Sequence, residues 1–180
     1  MSIGIERIKE EFADLTENPI GNCGITVGLM DESDYTRWRV SLIGPKDSSY
    51  VNGLFKLSVT FPDDYPQKQP EVCFLTPIYH VNVNPRAPKD SSSPESLGHV
   101  CISTLNWWKP EYRMREVLTN IFALFYMHNP ESPYGLDRAK EYNEDRALYE
   151  EKIKHFTKKY ALPEHSDIEY SRTEDWDFSL

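Results

Sequence analysis

No stretch of this sequence approaches the roughly 20 continuous apolar residues that cross a bilayer. Met1-Ser2-Ile3-Gly4 carries neither the basic start nor the apolar run of a secretory leader. The chain is therefore expected to be intracellular, in the cytoplasm, the nucleus or both, with no membrane partner. Cysteine is scarce. Cys23, Cys73 and Cys101 form no CxxC pair and are too few for a disulfide framework, which argues against structural zinc and a secreted scaffold. No cluster of ligand residues suggests a metal, and none is expected. Basic residues are outnumbered 20 to 29, for a formal charge of −9. Affinity for nucleic acid comes largely from Lys and Arg neutralising phosphates, so nucleic acid is set aside as a partner.

What is present describes a folded domain. A chain of 180 residues suits one compact core that buries roughly 70% of its unfolded surface. Aromatic residues at 13% and hydrophobic residues at 39% lie far from the depleted compositions of disordered chains. Ile5, Ile8, Phe12 and Leu15 recur every three or four positions and predict an amphipathic helix over the first fifteen residues, with Glu6, Lys9, Glu10 and Glu11 outside the apolar stripe. The period then becomes two. Ile25, Val27 and Leu29 alternate, as do Trp38, Val40 and Leu42, then Phe55, Leu57, Val59 and Phe61. With a fourth strand at Glu71 to Leu75 and turn signals at Asp31 to Asp34 and Gly44-Pro45, these predict an antiparallel meander covered by helices on one face.

From Thr76 to Tyr112 no periodicity is sustained, and Pro77, Pro85, Pro88, Pro94 and Pro110 prevent a long helix or strand. A loop this long in a compact domain is usually functional or disordered. Met114, Val117, Leu118, Ile121, Leu124 and Phe125 then trace a central buried helix, followed by a short helix near Leu136 to Tyr142 and a last one carrying Tyr149, Ile153, Phe156 and Tyr160. The fold class is α+β: one helix, four strands, then helices. A core of residues 1–162 is followed at 163–180 by a tail with six acidic residues and one arginine. Tyr170, Trp176, Phe178 and Leu180 interleave with the acids, so the tail suits either docking on a basic partner surface or a solvated terminus.

Cys101 is singled out by position. It lies in the long irregular loop after Gly98-His99-Val100, whereas Cys73 sits inside a strand and Cys23 precedes one. Around it stand Tyr65-Pro66, Tyr79-His80-Val81-Asn82, Val100-Cys101-Ile102, Trp108 and Asn129-Pro130-Glu131-Ser132-Pro133. In that order and spacing, from about Arg7 to Tyr160-Ala161, with Trp38 and the Gly44-Pro45 turn, the chain resembles the ubiquitin-conjugating enzymes. The resemblance implies the UBC fold, a four-stranded antiparallel sheet packed by helices. It also implies a transferase in which Cys101 takes ubiquitin from an activating enzyme as a thioester and passes it to a substrate lysine, usually with a ligase. ATP is used upstream and no cofactor is bound. The residue type fits, since a cysteine thiol is intrinsically very nucleophilic and thiol-to-thioester exchange needs little further activation. Two other readings share the resemblance: conjugation of another ubiquitin-like modifier, and a non-catalytic binding module of the same fold.

By the same resemblance Asn82 matches the asparagine of the family's His-Pro-Asn motif, which stabilises the tetrahedral oxyanion or holds the active-site loop in shape. His80 is expected to support that loop, Tyr79 and Asn129 to line the approach of the lysine, and Trp108 to stand beside the cysteine. The loop at Pro66-Gln67-Lys68 and the segment Trp108-Lys109-Pro110 contact ligases in relatives, and Arg7 lies on the helix that docks on the activating enzyme. His99 raises the rival idea of a Cys-His hydrolase pair. Three departures stand out. Val81 replaces the motif's proline, residues 83–99 are longer than usual and suggest a mobile flap, and Ser132 stands where many relatives carry an acid, with Glu131 beside it.

Overall fold

The structure, a computed structural model, describes residues 3–21, 23–89 and 97–180. Residues 90–96, the centre of the expected flap, lie outside the described residues. The elements run α1 (Ile3–Glu17), β1 (Ile25–Asp31), β2 (Asp34–Ile43), β3 (Leu54–Thr60), β4 (Glu71–Phe74), α2 (Ser103–Asn106), α3 (Met114–Ala123), α4 (Leu136–Glu144) and α5 (Arg146–Tyr160), with a 3-10 turn at Pro163–His165. The four strands form one antiparallel meander in the order β1-β2-β3-β4. Period-two alternation is realised strictly: Trp38, Val40 and Leu42 of β2 are buried, and their neighbours in the ladder, Val59, Leu57 and Phe55 of β3, lie with them in the core. Against this face α3 buries Met114, Val117, Leu118 and Ile121, which places it as the central helix. This is the expected α+β architecture.

Glu11 departs from the expected pattern. It falls outside the apolar stripe by periodicity, yet it is only 3% exposed. Its carboxylate accepts from Arg7 Nε at 2.8 Å, from the Tyr65 hydroxyl at 2.7 Å and from the Met114 backbone N–H at 2.6 Å. A buried carboxylate is tolerated when donors surround it, and the Met114 N–H is an orphan donor at the positive end of α3. Helix periodicity reports apolar faces and is blind to such an acid.

The tail takes neither course that the sequence left open. It packs on its own domain. Lys56 Nζ donates to the Ser166 carbonyl, Tyr170 Oη to the Tyr160 carbonyl at 2.9 Å, and Tyr160 Oη to the Asp177 carbonyl. The six acidic residues of the tail are exposed, while Trp176 is 8% exposed and Phe178 packs on Tyr79, Phe156 and Tyr160. The alternation Asp175-Trp176-Asp177-Phe178 is a strand-like period of two, with the aromatics inward.

Candidate active site

The loop between β4 and α3 is irregular in sequence but ordered by backbone bonds. Two extended arms pair: Asn84 N–H donates to the His99 carbonyl at 2.9 Å, Gly98 N–H to the Asn84 carbonyl at 2.7 Å, and Cys101 N–H to the Asn82 carbonyl at 2.9 Å. The second arm also adds to the edge of the sheet, since Phe74 N–H donates to the Gly98 carbonyl at 2.8 Å and Cys73 bridges to His99. Gly98 makes this approach possible. Its φ is +78°, and a Cβ there would lie 2.0 Å from the Phe74 carbonyl oxygen. Just past Cys101 the single turn α2 begins, too short for its period to show in the sequence.

Cys101 is partly exposed at a groove lined by Asn82, Ile102, Ser103, Asn120, Ala123, Leu124, Met127, His128 and Asn129. Its sulfur lies 3.4 Å from Ser132 Oγ and accepts from Asn106 Nδ2 at 3.1 Å. Asn106 was not legible as a site residue: its approach depends on α2, which the sequence did not announce. Cys73 contrasts with it. Burial, and then the Glu71 carboxylate, pushes its thiol up to about 12, so it stays a thiol and is chemically quiet. Among the described residues, no group of three His, Cys, Asp or Glu could hold a metal.

Asn82, 1% exposed, holds the opposite wall of the groove. Its Nδ2 donates to the carbonyls of Asn129 at 2.8 Å and Ser132 at 3.0 Å, and its Oδ1 accepts from the Asn129 N–H at 2.8 Å. Both amide hydrogens are therefore committed to the 129–132 loop, and Asn129 Oδ1 in turn accepts from Glu131 N–H at 3.0 Å. Ser132 and Asn129 are thus brought to the cysteine by one buried amide.

His80 is wholly buried. Its Nδ1 accepts from the Asn82 N–H at 2.9 Å, which leaves Nε2 as the donor to the Leu124 carbonyl at 2.9 Å. Burial, reinforced by His128 stacked 4.2 Å away, holds its pKa well below the usual histidine value. A neutral ring with both nitrogens engaged supports the loop and moves no proton. His99 Nδ1 meets the Tyr134 hydroxyl at 2.5 Å. Val81 is buried, and its N–H donates to Tyr149 Oη at 3.0 Å, a bond that a proline at this position could not make.

Two expected placements are corrected. Tyr79 does not line the groove at Cys101. Its hydroxyl donates to Glu141 Oε2 at 2.5 Å, and its ring packs among Tyr149, Phe156 and Phe178, with the Arg138 guanidinium 4.4 Å above it. Trp108 stands on the Pro66 loop instead of the groove, its indole N–H donating to the Pro66 carbonyl at 2.7 Å and its ring against Tyr65. Arg7 lies on α1 as expected, but faces inward: its guanidinium is taken up by Glu11 and by the carbonyls of Pro110 and Tyr112, so it braces the 110–112 loop. Gln67 and Lys109 are exposed and Pro66 and Pro110 half-buried, on two loops that Trp108 ties together.

An α+β domain with a cysteine loop braced by a buried asparagine is the class that fold and site define. Residues 7–157 match the family model for ubiquitin-conjugating enzyme, which spans most of the chain. The chain belongs to the ubiquitin-conjugating enzyme family. No helix among the described residues is long and apolar enough to cross a membrane.

Proposed function

We propose that Cys101 accepts ubiquitin, or a modifier of that type, from an activating enzyme and transfers it to a substrate lysine with the help of a ligase. The observation that supports this best is the placement of the Cys101 sulfur, half-exposed at a groove between Asn106 and Ser132, while Cys73 is buried. Loading forms a C–S bond to Cys101 as the activating enzyme's C–S bond breaks, with ATP consumed upstream. In discharge, the neutral lysine amine attacks the thioester carbon, a C–N bond forms as the C–S bond breaks, the electron pair returns to sulfur, and the proton lost from nitrogen passes to the departing thiolate or to solvent. Asn106 Nδ2 donates to that sulfur and stabilises it as it leaves. Asn82 holds the 129–132 wall in place, because its two amide hydrogens are already bonded there. Ser132 offers a hydroxyl where many relatives offer an acid, so help with lysine deprotonation from this chain falls to the neighbouring Glu131 or to solvent. Gln67, Lys109 and their loops are the surface on which a ligase would dock.

Incubation with an activating enzyme, its modifier and ATP tests the reading. An adduct that reducing agent removes is expected, absent in Cys101→Ala and replaced by a reductant-resistant oxyester in Cys101→Ser. Repeating the assay with each modifier and its own activating enzyme names the cargo. If no modifier gives an adduct, the chain is a binding module and the carrier reading falls.

A further inference from the structure

The last nine residues reach both arms of the cysteine loop. Arg172 Nη2 donates to the Leu97 carbonyl at 2.8 Å, on the arm that leads to Cys101. Trp176 N–H donates to the Pro85 carbonyl at 2.9 Å, and Asp175 Oδ1 accepts from the Ala87 N–H at 2.9 Å, both on the arm that follows Asn82. The segment that makes these bonds is itself anchored. Phe178 meets Tyr79 edge to face, and both rings contact the buried Arg138 guanidinium at 4.6 and 4.4 Å, while Arg138 Nη1 donates to the His80 carbonyl at 3.1 Å. Trp176 is buried, though its indole N–H has no hydrogen-bond partner among the described residues, so apolar contact and its backbone bond hold it in place.

We infer that residues 172–178 are a positioning element of the Cys101 site: a built-in clasp that holds the two arms in register, and through them sets Cys101 against the Asn82 wall. The inference rests on the reading of Cys101 as the acyl carrier, but the clasp acts on the free thiol as well. It gives the aromatic tail a role beside a long loop. Closing a longer loop costs extra chain entropy, and a tie at both ends offsets that cost. It also accounts for Tyr79, whose ring seats the clasp instead of meeting the lysine.

The full-length chain is compared with Trp176→Ala/Phe178→Ala in three measurements. Amide exchange at Asn84, Gly98 and Cys101 should quicken by at least about tenfold while Val40 and Leu57 in the sheet stay slow, as expected of a local opening. Cys101 should react faster with a thiol reagent while Cys73 stays protected. Once loaded, the variant should discharge to saturating free lysine about tenfold more slowly, and a peptide of residues 170–180 added in trans should restore the rate. A finer pair guards against global unfolding: Asp175→Ala should shift arm exchange in the same direction, whereas Asp175→Asn, which keeps the Oδ1 acceptor and gives up only the exposed 3.7 Å pair with Arg86, should shift it much less. Equal exchange and thiol reactivity in the double variant, with Cys73 still protected, overturns the clasp. If the double variant unfolds and exposes Cys73, the Asp175 pair decides, and no difference within it overturns the clasp too. If the unmodified chain takes no modifier, the carrier reading fails, while exchange and thiol reactivity still decide the clasp.

Discussion

The two walls of the Cys101 groove are held by opposite means. On one side a single buried side chain, Asn82, gathers the 129–132 loop with three hydrogen bonds. On the other, the arms at 82–87 and 97–101 are held by backbone pairing with each other and with β4, and the segment at 172–178 braces their far ends. The first arrangement concentrates its stability in one residue; the second spreads it over many weak bonds. A point substitution should therefore collapse the first wall more readily than the second, unless it strikes where the second has no slack.

Gly98 is such a point, and its replacement should give the largest effect. Gly98→Ala places a Cβ 2.0 Å from the Phe74 carbonyl at a positive φ. Strain of that backbone region alone costs of order 1–3 kcal/mol, and the clash forces the arm off the sheet edge as well. We expect a loss of more than about 3 kcal/mol in urea unfolding, with Cys101 reactivity altered even where the fold survives. A variant of unchanged stability would show that the arm's pairing with β4 does not carry this wall.

Asn82→Ala comes next. It leaves the Asn129 N–H and two carbonyls without their partner in a partly buried site, for about 2 kcal/mol. Loading of Cys101 should persist while discharge to lysine falls, together with faster amide exchange at Asn129. Because the Asn82 backbone also accepts from Cys101 N–H, its effect and that of Gly98→Ala should be non-additive by more than about 0.5 kcal/mol. Strict additivity would mean that the walls are independent. Normal exchange at Asn129 combined with slow discharge would return Asn82 to the oxyanion role.

Acid should weaken the fold through two buried histidines beside the first wall. Burial, and then Arg146, pushes His128 down to about 4, and His80 beside it is also held below its usual range. Both rings are neutral in the fold, whereas in the unfolded chain they bind protons below about 6.5. The unfolded state then holds more protons, so stability is full above about pH 6.5 and is lost as pH falls toward 4. In denaturant titrations each histidine should contribute a slope of up to about 1.4 kcal/mol per pH unit in that window. His128→Gln should remove one such contribution; an unchanged slope would show that His128 does not titrate with unfolding.

The same contrast marks what could be read from the sequence. Elements with a full period were legible, from α1 through the four strands to α5, because burial writes itself into spacing. The family motif led to Cys101, Asn82, Asn129 and Ser132, which do lie together. What escaped depends on long-range geometry. Tyr79 belongs to the expected motif, but its ring turns toward Arg138 and Phe178, and no local pattern shows that. Arg7 and Glu11 look like surface charges on a helix and prove to be internal braces, since a charge buried among donors has no hydropathic signature. The tail held a signal in its alternating acids and aromatics, but without a known surface to receive them the aromatics fitted a partner as well as their own chain.

Asn106 meets the Cys101 sulfur from α2 and should give the smallest effect, yet it bears most directly on the chemistry. It is exposed, so its removal should leave the melting temperature unchanged, and its amide touches the sulfur alone among the contacts described for it. Losing one such bond is worth about 1 kcal/mol in the transition state, or roughly fivefold in rate. Asn106→Ala should load normally and discharge to free lysine about fivefold more slowly. Asn106→Asp should be slower still, because a carboxylate then faces the electron pair returning to sulfur. Equal discharge by all three proteins would assign the bond to the resting thiol and leave the departing sulfur to solvent.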